Sequence, residues 1–143
     1  MPNEVFVTPP RGIPGIGTAA AYASGDAFGV VFALEVPLEG TIANVIFYDL
    51  DDEGLDKDIF LFSVAPVGTA DNSVFAPTDN EVLTCVGVIS IADWKNAGSN
   101  QVGMATPALS YYAPSGKLWG QFVTRGADNI AAANIPQFSL VII

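Results

Sequence analysis

Four runs of this chain, FGVVFALEV (28–36), VIFY (45–48), IFLF (59–62) and FSLVII (138–143), are apolar on both sides of any strand they form. A strand with one face in water alternates apolar and polar residues, and these do not. They are rich in Val, Ile, Phe and Tyr, the side chains that suit a pleated sheet. They are also far shorter than the ~18 uninterrupted apolar residues of a membrane helix. Such runs must be covered by protein on both faces, either by a thick fold or by a second subunit. The second option predicts a homo-oligomer, a dimer or trimer.

Strands are predicted at 18–24, 28–36, 41–50, 58–65, 82–91, 102–112, 117–125 and 137–143. Turn clusters separate them: SGD (24–26), PLEG (37–40), DDEG (51–54), PVGTADN (66–72), NAGSN (96–100) and APSG (113–116). Helix is confined to single turns at ADWKNAG (92–98) and ADNIAAAN (127–134). With 143 residues the chain is one domain by length. The pattern is that of an all-β fold, a jelly-roll-like antiparallel β-sandwich over 18–143. An extended N-terminal arm, 1–17, precedes it. The arm's TPPRGIPGIG (8–17) cannot form a regular element, because proline removes donors and glycine adds freedom. Phe6, Ile13 and Ile16 are nonetheless apolar and predict an arm lying along a surface, its own or a neighbour's.

Composition removes several function classes. The net charge is −10 with only five Lys and Arg residues, singly placed, which excludes a phosphate-tracking stripe for nucleic acid. The same acidity argues against an anionic membrane surface. There is no histidine, so triads built on imidazole and the commonest zinc and iron sites are excluded. No catalytic constellation remains, and the chain is not expected to be an enzyme. Cys85, alone within VLTCVGVISI, reads as a small buried hydrophobe. The opening residues carry none of the marks of an export signal.

The densest charge lies in YDLDDEGLDKDIFLF (48–62), which holds Asp49, Asp51, Asp52, Glu53, Asp56 and Asp58. Asp49, Asp51, Glu53 and Gly54 match the opening of a helix-loop-helix calcium loop, but its twelfth position, a bidentate Glu, is Phe60 here. A looser site on the weak candidates Asp49, Asp51 and Glu53 stays open; otherwise no cofactor is expected. The favoured reading is a solvated acidic turn that keeps the sheet end wet, with Lys57 partly neutralising it. Trp94, Trp119, Tyr111 and Tyr112 serve either as core and interface anchors or, exposed side by side, as a sugar-stacking platform.

One further pattern spans the middle third of the chain. It comprises Phe60-Leu61-Phe62, Pro66, Asp71-Asn72, Phe75-Ala76-Pro77-Thr78-Asp79 and Val86-Gly87-Val88-Ile89, with a weaker echo in LWGQFVTRGA (118–127). In these residues the chain resembles a group of small structural proteins of tailed bacteriophages. The resemblance implies a virion β-sandwich that decorates or cements the head shell, bridging major capsid subunits from the capsid surface after assembly in the host cytoplasm. Phe6, Ile13 and Ile16 would then anchor the arm at the interface. The alternatives are a glycan-binding adhesin and a tail, neck or fibre module.

Overall fold

The dense apolar runs become strands, and the turn clusters become the connections between them. The computed structural model describes residues 4–143; residues 1–3 of the expected arm lie outside the described residues. In chain order the strands are β1 (Phe6–Val7), β2 (Arg11–Gly12), β3 (Ala27–Glu35), β4 (Glu39–Asp49), β5 (Lys57–Phe62) and β6 (Cys85–Ile91). Then come β7 (Asp93–Asn96), β8 (Gln101–Ala105), β9 (Leu109–Tyr112), β10 (Lys117–Thr124) and β11 (Gln137–Ile142), with one short helix, α1 (Asp79–Val82), before β6.

They form an antiparallel all-β sandwich. A four-stranded sheet runs β3-β10-β5-β6, and a seven-stranded sheet runs β1-β11-β4-β8-β7, with β2 also on β11 and β9 also on β4. The connections β3–β4, β4–β5, β6–β7, β9–β10 and β10–β11 each cross from one sheet to the other, which gives the winding its jelly-roll-like character.

Between the sheets lies a cluster of phenylalanines. Phe32 and Phe122 of one sheet meet Phe138 of the other at ring separations of 4.8 and 5.0 Å, and Phe47 meets Phe122 at 5.5 Å. Each buried ring is worth roughly 1.5–3 kcal/mol in transfer from water. Tilted and edge-on aromatic pairs add about 0.5–1.5 kcal/mol each.

The chain itself covers part of the outer face of the four-stranded sheet. The 63–84 excursion folds back over it: Phe75 packs on Phe60 with ring centroids 4.7 Å apart. Gln121, 1% exposed on β10, donates to Thr69 O at 2.6 Å and accepts from Thr69 N at 3.1 Å. The arm lies against β3, where Val30 N donates to Pro14 O at 2.9 Å. Gly29 makes that approach feasible: its φ is +83°, and a Cβ there would sit 2.6 Å from Pro14 O. The excursion and the arm thus cover part of the doubly apolar strands, while Val30 and Val88 stay exposed.

Several local expectations are corrected. Residues 18–24 form no strand; four alanines offer little to pack, and only Tyr22 turns inward. ADWKNAG is a strand rather than a helical turn, because β7 lays the Trp94 ring against Gly103 of β8. Residues 127–134 hold one turn, closed by Asn134 N on Ala131 O at 2.9 Å, but no helix, since the amides of Asn129 and Ala131 donate to acidic side chains instead of helical carbonyls. The run 102–112 is broken into β8 and β9 around Pro107. At the start of 82–91 the chain is helical: Thr78 and Glu81 form a reciprocal capping box on α1, and β6 begins only at Cys85. Cys85 itself is half-buried.

Candidate functional site

The acidic connection between β4 and β5 is densely hydrogen-bonded, and the expected solvated turn holds in part: Asp52 and Asp56 are exposed, whereas Asp51, Glu53 and Asp58 are half-buried. Asp49, at the end of β4, is 6% exposed. Its carboxylate accepts from the backbone amides of Asp51, Glu53 and Gly54 at 3.0, 2.8 and 2.7 Å. One side chain thereby organises the turn from within.

The other acids reach across to neighbouring segments. Asp51 accepts from Ala131 N at 2.9 Å and from Asn134 Nδ2 at 2.7 Å. Asp52 accepts from Gln101 Nε2 at 3.0 Å, Glu53 from Asn129 N at 3.1 Å, and Asp56 from Trp94 Nε1 at 3.2 Å. Asp58 pairs with Arg125 Nε at 2.8 Å and accepts from Ser90 Oγ at 2.6 Å. The turn is thus a latch that ties β4–β5 to the β7–β8 hairpin and the 125–136 connection. Burial pushes the Glu53 carboxyl above its ordinary range; the Asn129 amide opposes this, and Asp128, Asp49 and Asp51 reinforce it.

The calcium candidates Asp49, Asp51 and Glu53 do not converge on a point: Asp49 faces its own turn, while the other two face the 129–134 segment. Among the described residues no group of three or more His, Cys, Asp or Glu side chains is placed to hold a metal.

Lys57 does not neutralise this turn from outside. It points into the core on the same face as Ile59 and Leu61, 2% exposed, and pairs with Asp128 at 2.7 Å. Its Nζ lies 4.9, 5.7 and 5.9 Å from the ring centres of Phe28, Phe47 and Trp94. Charge alone does not reveal this pair in the sequence, because a lysine flanked by two aspartates reads as surface. The signal that does is strand periodicity, which puts residue 57 in register with 59 and 61.

The arm residues separate. Ile13 is buried in the sandwich core at 2% exposure, and Ile16 packs partly buried against it. Phe6 remains 37% exposed on β1, the strand beside β11. Asp71 fastens the arm's end by accepting from Gly17 N at 2.9 Å, Tyr22 Oη at 2.6 Å and Gly29 N at 2.8 Å.

The four aromatics are not brought together as a platform. Trp94 is half-buried and meets Phe47 edge-on at 5.5 Å. Tyr111 is buried and donates to Pro37 O at 3.0 Å. Tyr112 is exposed in the seven-stranded sheet, whereas Trp119 belongs to the four-stranded one.

Exposed apolar side chains gather on one segment. Val64, Val67, Val74, Val82 and Leu83 of the 63–84 excursion are all at least half exposed, with Val67 at 96%. Comparison with family models, with curated proteins and with solved structures finds no match to this chain.

Proposed function

We propose that the chain is a virion structural protein, a capsid decoration or cement protein that bridges major capsid subunits and stabilises the assembled phage head. One observation carries this reading. The stretch that resembles phage structural proteins, 58–91, is also where exposed large apolar side chains concentrate, with Val88 added to those of the excursion. From Asp58 to Trp94 the sequence contains no Lys or Arg. A solvent-facing excursion of valines and leucine without a cation suits a partner surface that is apolar and edged with basic groups.

The mechanism is linkage. A protein that binds the expanded shell and not its precursors stabilises that state by mass action. If copies associate as a dimer or trimer, simultaneous attachment raises the effective affinity further. The exposed Phe6 edge of the arm is a second contact point, while Ile13 and Ile16 fix the arm to its own sandwich. No metal is required; a thermal melt with and without chelator is expected to coincide, and a chelator-dependent drop would assign calcium to the acidic latch.

The test is a cryo-electron microscopy reconstruction of the particle that carries this chain. Density on the head lattice between capsid subunits, with the 63–84 excursion turned to the shell, is expected. Density at the neck, tail or fibres would replace the cement role with a tail or adhesin module. Absence from the particle would overturn the reading.

A further inference from the structure

Lys57 and Asp128 meet in direct contact at a buried site. Nζ lies 2.7 Å from Asp128 Oδ2 and 2.6 Å from Leu55 O. The two side chains are 2% and 4% exposed, and three aromatic rings wall the amine. On the far side, Thr124 Oγ1 donates to Asp128 Oδ1. Every buried side-chain nitrogen and oxygen among the described residues has a partner. We propose that Lys57 and Asp128 condense spontaneously into an intramolecular isopeptide bond joining β5 to the 125–136 connection.

The chemistry balances within these four residues. A low-dielectric site disfavours separated charges, so one proton passes from the ammonium to Oδ2 and leaves a neutral amine beside a neutral acid. The Nζ lone pair attacks Cγ and forms the new C–N bond. Thr124 holds Oδ1 as negative charge develops there, in the manner of an oxyanion donor. A second proton moves from Nζ to Oδ2, the Cγ–Oδ2 bond breaks, and one water leaves.

The product amide inherits satisfied partners: its remaining N–H faces Leu55 O, and its carbonyl oxygen keeps the Thr124 hydroxyl. Two buried charges disappear. Fixing amine and acid side by side supplies the high effective concentration that condensation needs, and the aromatic walls keep out the water that would reverse it.

Intact-mass measurement of the purified chain, shown to be folded by cooperative thermal unfolding, tests this directly. The expected result is a mass lower than the sequence mass by one water. Proteolysis should then release a branched peptide linking residues 57 and 128, and the Lys57→Arg variant should keep the full mass. Folded wild-type protein at full mass after prolonged incubation would overturn the proposal. So would loss of water with only linear peptides, which would place a cyclic imide at Asp128-Asn129 instead.

Discussion

Two stretches close together in the chain, the 49–57 connection and the 63–84 excursion, resolve the problem of lying on the surface in opposite ways. The first is crowded with carboxylates, and its acids are bonded to backbone amides, an amide side chain and an indole of the same molecule. The second is mostly uncharged and holds its valines outward, attached to the body by Asp71, Gln121 and the Phe60–Phe75 contact. Formal charge is therefore a poor guide to exposure here. What decides is whether backbone donors lie within reach: the 49–57 turn supplies its own, and the 125–136 connection supplies more.

The contrast breaks most sharply at Lys57. Lys57→Met leaves the Asp128 carboxyl in the core without its only lysine partner, ion-paired or amide-bonded, and a loss of at least about 3–5 kcal/mol is expected in urea denaturation. Asp49→Ala comes next. It leaves three turn amides without their acceptor, for an expected cost of about 2–3 kcal/mol by the same measurement. If the turn were merely a wet surface loop, that substitution would be nearly silent.

Asp71→Ala tests the excursion's own clamp and should cost less, about 1–2 kcal/mol, because water reaches this half-buried site. Limited proteolysis should then cut first near Gly17, where the arm is released. The same clamp has a pH signature. Burial first, and then Asp71, hold the Tyr22 phenol protonated well above its ordinary range. The folded state therefore keeps this proton longer than the unfolded chain does. Stability from Tyr22 is complete below about pH 10 and declines as pH rises beyond it. Tyr22→Phe should flatten that alkaline slope in a pH series of thermal melts.

The smallest effect on stability is expected for Leu83→Glu, which faces solvent and should stay within about 0.5 kcal/mol of the parent. Its consequence belongs to binding: co-sedimentation with assembled shells should fall sharply while the melt is unchanged. A variant that binds as the parent does would remove the excursion from the contact surface.

Much of the sandwich is legible in the sequence because β3, β4, β5, β10 and β11 are dense in branched and aromatic residues that suit both a sheet and a core. β1 and β2 are not legible: each is two residues long and exists only because β11 offers an edge. β7 is hidden for a related reason, since the side chain that makes it a strand, Trp94, depends on the absence of one at Gly103. The latch is the hardest part to read. Five of its donors are the backbone amides of Asp51, Glu53, Gly54, Asn129 and Ala131, and a backbone N–H has no letter of its own.

The place of β11 has a consequence for how the molecule is made. β4 sits between β11 and β8, and Tyr48 pairs with Gln137. During vectorial synthesis β4 can find β8 early but must wait with its other edge open until β11, almost ninety residues further on, has emerged. β1 and β2 wait for the same late partner. Pairings this distant carry a large loop-closure entropy, so the refolding rate belongs in the slow range of β topologies, milliseconds to seconds. A nascent chain halted before residue 137 would carry the apolar β4 edge exposed, ready to pair with another chain in the same condition.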